Sequence, residues 1–199
     1  MARTKTISDA DLLAIAKQTF VEVGFAASSK EIARRAGVSE GVLFQRFTTK
    51  EELFFAAMTP PPLDLHEIFE HPQLEGQALI EKITFAMIDY FRTLMPVLIP
   101  LMSHPSFRFE DFAKRQPDSP LVTLRRQLVN FVMREKRAGR IGSVDPGAAS
   151  LVIWSTAHSV AFFERLGAHD GQMPASIVRA SVLCLWHGMK PAQPRRQDL

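Results

Sequence analysis

The feature that most constrains this sequence is a pair of short amphipathic runs joined by a tight corner. The runs cover residues 28–36 and 39–47, and only Gly37 and Val38 lie between them. Each run is about two turns long, and isolated helices of that length are marginal in water. The runs therefore predict two short helices that are held by packing on neighbouring parts of the chain. The apolar positions expected to form that core are Phe20, Ile32, Val38, Leu43, Phe47 and Leu53.

Capping signals define four helices in the first part of the chain. Ser28 and Glu31 have the S-x-x-E spacing of a capping box, and a serine or threonine precedes each of the other helices. Gly24 suits the left-handed position after the first helix, and the prolines at 60–62 end the fourth. The predicted helices are Asp9–Val23, 28–36, 39–47 and Lys50–Met58, with Ser8, Ser28, Ser39 and Thr49 as their N-caps.

Helical periodicity continues through the rest of the chain, without persistent strand-like alternation. Pro96 and Pro100 predict a break between a long helix over 73–95 and a short kinked one. Asp145 and Pro146 form a strong helix start. The remaining predicted elements are a loop at 103–118 and helices at 120–138, 146–166 and 174–189. The sequence therefore predicts an all-α fold of about nine helices.

Composition excludes several classes of site. Cys184 is the single cysteine, so an intramolecular disulfide and a cysteine-based zinc site are both excluded. The histidines lack metal-binding spacing, and the sequence has no phosphate-binding glycine loop or catalytic triad, so we expect no metal, no cofactor and no enzymatic activity. The N-terminal segment lacks an apolar signal core and no run approaches about 18 apolar residues, which predicts a cytoplasmic protein that does not enter a membrane.

The second short helix has an outward face that could read DNA. A three-helix cluster with a tight corner is the helix-turn-helix plan, in which the second short helix lies in the major groove. Residues 1–58 carry eight Lys or Arg and seven Asp or Glu. A DNA footprint would therefore depend on where the charges lie and not on their total. The competing interpretation is a helical corner that only packs, which is common in all-α proteins.

Residue types on that face predict individual DNA contacts. Gln45 can hydrogen-bond a base edge, with adenine favoured, and Arg46 and Lys50 can neutralise phosphates. The helix start at Ser28 and Ser29 offers amides and hydroxyls to a phosphate. The predicted contacts to double-stranded DNA are Ser28, Ser29, Lys30, Ser39, Gly41, Val42, Phe44, Gln45, Arg46 and Lys50.

A family resemblance spans about 35 residues, from 24 to 58. The residues that carry it are Gly24-Phe25, Glu31-Ile32-Ala33, Ala36-Gly37-Val38-Ser39, Gly41, Phe44, Phe47 and Lys50-Glu51-Glu52-Leu53. At this spacing they closely resemble the DNA-binding domain of the TetR family of transcriptional regulators. There are two departures. Phe44 stands where the family usually has a tyrosine whose hydroxyl contacts a phosphate, and the link from Gly24 to Ile32 is one residue shorter than is common.

The resemblance also implies how the rest of the chain is organised. Members of the family carry a variable helical ligand-binding domain, whose last two helices form a homodimer bundle. Residues 139–154 look similar to the start of the first of those helices. We therefore expect a helix-turn-helix domain at 1–58, a ligand-binding and dimerisation domain at 59–190, and a disordered tail at 191–199.

Aromatic and methionine side chains of the second domain are candidates for a ligand pocket. Such walls would favour a small apolar or aromatic ligand. Tyr90 and His158 are polar tips on otherwise apolar faces. For each of these residues the alternative is ordinary core packing. The predicted pocket residues are Phe85, Tyr90, Phe91, Met102, Phe131, Trp154 and His158.

The last helix has a surface that predicts a second subunit. Ala180, Cys184 and Gly188 form a row of small residues, and apolar side chains surround it. A helix that is apolar nearly all round must be buried on more than one side, either by a second copy of the chain or within the monomer. The predicted homodimer contacts are Trp154, Ile177, Ala180, Ser181, Cys184, Leu185 and Gly188.

Taken with the resemblance, these features predict a dimeric transcriptional repressor that a ligand releases from a palindromic operator. Two further hypotheses remain open. A regulator of the same family could activate transcription or sense nothing small. A protein of a different class, an all-helical carrier or enzyme, would use the apolar cavity of the second domain instead.

Overall fold

The computed structural model describes residues 7–59, 62–70, 74–103, 108, 110, 119–168 and 170–191. Throughout these residues the regular structure is helical and no strand is present, so the predicted all-α class is confirmed. Nine α-helices and one 3-10 turn lie within the described ranges. The helices are α1 (Asp9–Val23), α2 (Ser29–Ala36), α3 (Glu40–Arg46), α4 (Lys50–Met58), α5 (His66–Phe69), α6 (Gly76–Met102), α7 (Pro120–Arg137), α8 (Pro146–Arg165) and α9 (Ala175–Met189). The 3-10 turn is Gly24–Ala26.

The predicted N-caps are confirmed in the first four helices. Ser28 Oγ accepts a hydrogen bond from the Glu31 amide at 3.1 Å, and Thr49 Oγ1 accepts one from the Glu52 amide at 3.0 Å. Glu52 also accepts a hydrogen bond from the Thr48 amide at 2.8 Å. Such contacts satisfy amides that have no partner inside the helix. Ser8 and Ser39 cap α1 and α3 in the same way.

The predicted break at Pro96 is wrong. One helix, α6, continues from Gly76 to Met102 through Pro96 and Pro100. Proline removes a ladder hydrogen bond and is unfavourable inside a helix. Here Met95 and Val97, on either side of Pro96, are both 2% exposed, and such packing can outweigh local helix propensity.

Other differences from the sequence prediction are small. Helix α5 and the turn at Gly24–Ala26 were not predicted. Gly24 has the predicted positive φ of 76°, but its ψ of −169° is outside the left-handed helical region. Most of the predicted loop at 103–118, position 73 and tail residues 192–199 lie outside the described residues.

The chain divides into two compact units. The first comprises Met1–Pro60 and Pro96–Phe112, and the second comprises Pro61–Met95 and Ala113–Leu199. The sequence analysis had assigned residues 96–112 to the C-terminal domain. Val97 is instead part of the hydrophobic core of the first unit, and Leu98 packs against that core.

An aromatic cluster lies at the centre of the first unit. The ring of Phe54 meets that of Phe20 edge-on at 4.9 Å and that of Phe25 at 5.1 Å between centroids. Phe20 and Phe54 are fully buried. All six predicted core residues belong to or pack against the hydrophobic core of this unit. Phe20, Ile32, Leu43, Phe47 and Leu53 are buried, and Val38 is partly buried.

Helix α6 supplies much of the core of the second unit. By length and composition alone, its segment from Gly76 to Pro100 is apolar enough to cross a membrane, with a mean hydropathy of 1.3, but half of its most apolar stretch is buried inside the protein. The guanidinium of Arg92 makes two hydrogen bonds of 2.8 and 2.9 Å to the carboxylate of Glu164 in α8. Burial within the protein is consistent with the apolar composition of this segment, and its one arginine is paired.

We predict that Phe54→Ala will lower the free energy of unfolding of the first unit by about 3–5 kcal/mol, because it removes a buried ring and leaves a cavity. Phe44→Ala is the matched control, since that ring is 39% exposed and its loss should change stability little. Urea unfolding monitored by circular dichroism measures both variants. Equal losses of stability would contradict the central position of Phe54.

Candidate nucleic-acid interface

A left-handed glycine makes the corner between α2 and α3. Gly37 has φ 67° and ψ 29°, a conformation that other residues rarely adopt. Its amide donates to the Arg34 carbonyl at 3.2 Å, and the Val38 amide donates to the Ala33 carbonyl at 3.0 Å. These hydrogen bonds close the end of α2 and allow α3 to begin after only two residues.

Helix α3 buries one side and exposes the other. Leu43 is fully buried, and Phe47, directly after the helix, is 9% exposed. Gly41, Phe44 and Gln45 are exposed, and Val42 is half-buried. The predicted outward residues other than Arg46 therefore lie where they could reach a macromolecular surface.

Among the described residues, no neighbour requires a glycine at position 41. A Cβ atom added at this position would meet Ser39 Oγ at 3.7 Å, which is ordinary contact. Glycine in a helix interior is about 1 kcal/mol less favourable than alanine. The smooth surface at Gly41 is therefore not explained by packing of the domain itself, and it leaves space for close approach by another molecule.

The start of α2 also faces solvent. Ser28 and Lys30 are exposed and Ser29 is half-buried. The oxygens of Ser28 and Ser39 accept cap hydrogen bonds, but their O–H groups can still donate, for example to a phosphate oxygen. The predicted polar contacts at the two helix starts thus remain accessible.

Arg46 lies against the start of α1 and does not point outward as predicted. Its Nη1 atom donates to the Ile7 carbonyl oxygen at 2.9 Å and pairs with an Asp9 carboxylate oxygen at 2.9 Å. The Arg46 side chain is 22% exposed. The end of α3 is thereby held to a segment 37 residues earlier, and no spacing in the sequence indicates this contact.

Lys50 is also engaged, although less completely. Its ammonium nitrogen lies 4.3 Å from the centroid of the Phe25 ring, a cation–π geometry. An ammonium group over a ring face can keep donors directed to solvent. Among the predicted phosphate contacts, Lys50 therefore remains a candidate on geometric grounds.

Helix α2 carries an ion-pair network that was not predicted from the sequence. The carboxylate of Glu31 accepts hydrogen bonds from Arg34 and Arg35, each at 2.8 Å. Arg35 also reaches Glu22 in α1 at 2.6 Å. The hydrogen bonds from Arg34 and Arg35 lower the pKa of Glu31 to about 2. The i,i+3 and i,i+4 spacing could have predicted the first two contacts, but not the third.

Four of the predicted ligand residues meet in the second unit. The Phe91 ring lies 5.0 Å from that of Trp154, 5.5 Å from that of His158 and 5.9 Å from that of Tyr90. Burial raises the pKa of Tyr90 to about 12 and lowers that of His158. Both side chains are therefore neutral at pH 7.

The other three predicted ligand residues lie elsewhere. The Phe131 ring stacks on that of Phe69 at 4.7 Å. Phe85 lies beneath the guanidinium of Arg179, 5.9 Å from its central carbon. Met102 is 61% exposed and belongs to the first unit. The predicted residues thus do not line one common cavity.

A pocket of about 430 Å³ opens between α7 and α8. Its described lining consists of Arg125, Leu128, Val129, Gly147, Ala148, Ser150, Leu151 and Trp154. Trp154 is the one predicted pocket residue in that lining. The remaining residues carry no motif, and their convergence depends on the way two helices pack.

The predicted dimer residues other than Trp154, which is on α8, form an open surface on α9. Ile177 is 51% exposed, and Leu185 and Trp154 are half-buried. The small residues of the predicted set, Ala180, Ser181, Cys184 and Gly188, are all exposed. Helix α8 adds three exposed apolar side chains outside the predicted set, Leu151, Val152 and Phe163, and its C-cap residue Leu166 adds a fourth. Within the described part of the chain no cluster of three or more His, Cys, Asp or Glu could hold a metal ion.

Comparison with known proteins identifies the helix-turn-helix unit. Residues 12–57 match the family model for bacterial regulatory proteins of the tetR family. This part of the chain is similar to the DNA-binding domain of TetR-family regulators. The match covers α1 through α4 almost completely, so it includes the α2–α3 corner and the exposed face of α3.

Solved structures share the fold over nearly the whole chain. A Rhodococcus sp. RHA1 protein of unknown function is 22% identical, with a TM-score of 0.75 over 96% of this chain and 100% of that one. A putative TetR-family regulator from Mesorhizobium loti is 17% identical, with a TM-score of 0.69 over 92% and 96%. The Bacillus subtilis regulator FadR in complex with stearoyl-CoA is 13% identical, with a TM-score of 0.68 over 91% and 99%. The TetR fold thus extends through the second unit.

We predict an energetic coupling between Asp9 and Arg46 in this domain. A double-mutant cycle with Asp9→Asn and Arg46→Gln should give an interaction energy of about 0.2–1 kcal/mol, because one partner is largely exposed. Urea unfolding at low salt provides the measurement. Asp11→Asn is the control, since Asp11 bonds to Ser8 and should not couple to Arg46. A coupling no larger than the control's would contradict the ion pair.

Proposed function

We propose that the chain is a sequence-specific DNA-binding transcriptional regulator that acts as a cytoplasmic homodimer. More specifically, it is a repressor that a small apolar or aromatic ligand releases from a palindromic operator. The observation that carries the proposal is the exposed face of α3 inside a domain that matches the TetR family model. Proteins of this family generally regulate transcription and are not enzymes.

The exposed residues of α3 have complementary roles in this proposal. Gln45 would read a base edge, with adenine favoured, while Gly41 and Val42 allow the helix to sit deep in the groove. Phe44 would pack against sugar or the thymine methyl group, because it lacks the hydroxyl of the usual tyrosine. Lys50, together with Ser28, Ser29, Lys30 and Ser39, would contact phosphates, which position the helix without reading sequence.

The guanidinium of Arg46 is hydrogen-bonded within the domain, and this changes the role that we propose for it. Its hydrogen bonds to Ile7 and Asp9 would fix the end of α3 relative to α1. We therefore propose that Arg46 orients the reading helix and is not one of the phosphate contacts. This assignment differs from the sequence prediction, which paired Arg46 with Lys50.

A homodimer would supply the specificity that one short helix lacks. Helix α3 has seven residues and can read only a few base pairs. Two copies about 34–36 Å apart would read successive turns of a palindrome. The exposed apolar side chains of α8 and the open surface of α9 are the proposed subunit interface, because large exposed apolar surfaces mark interaction sites.

Ligand release would follow from differential binding. A ligand in the second unit can move the protein off DNA only to the extent that it prefers the conformation that does not bind DNA. The aromatic cluster around Phe91 and the pocket beside Trp154 support an apolar or aromatic ligand. The stearoyl-CoA complex of the Bacillus subtilis relative supports an apolar effector within this fold. An all-helical carrier or enzyme is the alternative, and it would not need an exposed Gln45 and Phe44.

Recovery of bound genomic fragments tests DNA recognition and yields an operator. We predict that Gln45→Ala relaxes the base preference at one or two operator positions and costs about 1–3 kcal/mol of binding free energy at the preferred site.

Lys50→Ala should instead weaken binding to all DNA sequences equally and reduce the log–log slope of affinity against salt by roughly one unit. Arg46→Ala should leave that slope unchanged. Fluorescence anisotropy gives affinity and slope, and the absence of any selected fragment would reject the proposal.

We predict that Cys184→Asp dissociates the dimer, because an unpaired carboxylate in a buried interface costs several kcal/mol. Specific DNA binding should be lost with it, although the change lies outside the DNA-binding domain. Cys184→Ser is the matched control and should keep both properties. Analytical ultracentrifugation at micromolar concentration measures the state. A wild-type monomer that still binds its operator specifically would reject the dimer.

A further inference from the structure

We infer that the pocket between α7 and α8 binds a small amphipathic anion, a carboxylate with an aryl or alkyl body. The inference rests on the proposed function of the second unit as a ligand sensor and names the chemistry of that ligand. A pocket of about 430 Å³ is within the range of roughly 300–1,000 Å³ that is usual for small-molecule sites. The described lining residues of the pocket all belong to the second unit.

The body of the pocket is apolar. Leu128 is fully buried and Val129 lies beside it on α7, while Leu151 and Trp154 line the pocket from α8. Gly147, near the start of α8, is the smallest residue of the described lining. Burial of an alkyl or aryl group on such surfaces is favourable roughly in proportion to the apolar area removed from water.

Two polar groups at the pocket already have hydrogen-bond partners within the protein. The Ser150 hydroxyl donates to the Pro146 carbonyl oxygen at 2.6 Å. The amide of Ala148 donates to the N-cap carboxylate of Asp145 at 2.7 Å. The pocket therefore offers few unsatisfied donors from its own backbone and hydroxyl groups to a polar ligand.

Arg125 is the exception. It lines the pocket and is exposed, and the described residues provide it with no carboxylate partner. By contrast Arg34, Arg35, Arg46, Arg92, Arg134, Arg140 and Arg179 are all ion-paired. A guanidinium binds a carboxylate through two parallel hydrogen bonds. One cation at an otherwise apolar pocket thus selects a ligand with one anionic end.

Occupancy of the pocket would also reach helix α6. A ligand on Trp154 contacts a side chain whose ring meets that of Phe91 edge-on at 5.0 Å. Phe91 is 1% exposed and has little space in which to move. A shift of Trp154 would therefore displace Phe91 and the helix that carries it, because close-packed interiors transmit strain.

The test compares two acids with their neutral amides. The probes are 4-phenylbutyrate and octanoate, together with 4-phenylbutanamide and octanamide. In a Trp186→Phe background, Trp154 is the one remaining tryptophan, so its fluorescence reports binding at the pocket. Isothermal titration calorimetry on the wild-type chain gives a second measurement that does not depend on how well that background folds. Arg125→Gln removes the cation, and Arg137→Gln, on the same helix but outside the pocket lining, is the matched control.

We predict that at least one acid binds and perturbs Trp154, and that its amide binds about tenfold more weakly. Arg125→Gln should abolish the difference between acid and amide, whereas Arg137→Gln should preserve it. Equal binding of acid and amide, an acid preference that survives Arg125→Gln, or no binding of either acid at millimolar concentration would overturn the inference.

A DNA readout separates this inference from the proposed function. Acid binding that depends on Arg125 but leaves operator binding unchanged would support the pocket and reject ligand-controlled repression. Release from the operator by an acid, with equal effect in the Arg125→Gln variant, would support ligand control and place its site elsewhere. A third possibility is that the pocket belongs to the subunit interface, and sedimentation of Arg125→Gln tests it. Loss of the dimer without loss of acid binding would assign the pocket to the interface and overturn the inference.

Discussion

The structure of the first unit depends on the packing of α2 and α3 against the aromatic cluster of Phe20, Phe25 and Phe54. Helices of eight and seven residues have too few internal hydrogen bonds to persist alone. Packing on the buried aromatic cluster supplies the stability that the short helices lack. The same packing determines which face of α3 is exposed. The exposure of Phe44 and Gln45 is thus a consequence of the burial of Leu43 and Phe47 on the opposite face.

Local chemistry made the N-terminal half of this fold predictable. Ser28, Ser39 and Thr49 start helices through short side-chain contacts, and Gly37 ends one because it tolerates a positive φ. These signals depend on neighbours three or four residues away, so they can be read from the sequence. The family resemblance added the function of the exposed face, which periodicity alone left open between recognition and simple packing.

Long-range contacts explain most of what the sequence did not reveal. The partner of Arg46 lies 37 residues away, and nothing in the spacing distinguishes an outward arginine from one that folds back. In the second unit, the sequence marked aromatic residues but not the gaps between them. Tyr90 and Phe91 are buried and His158 is half-buried, whereas the small residues Gly147 and Ala148 line the pocket beside Trp154. Cavities depend on the helix packing, and no local signal encodes it.

The continuity of α6 has a mechanical consequence. The division between the two units falls between Met95 and Pro96, inside one unbroken helix. Proline has no amide hydrogen, so the ladder lacks a hydrogen bond at that position and again at Pro100. Helices bend most readily where the ladder is interrupted. Among the described helices, the longest one therefore carries two interruptions of its backbone ladder, at Pro96 and Pro100, and the first of them directly follows the residue at which the first segment of the second unit ends.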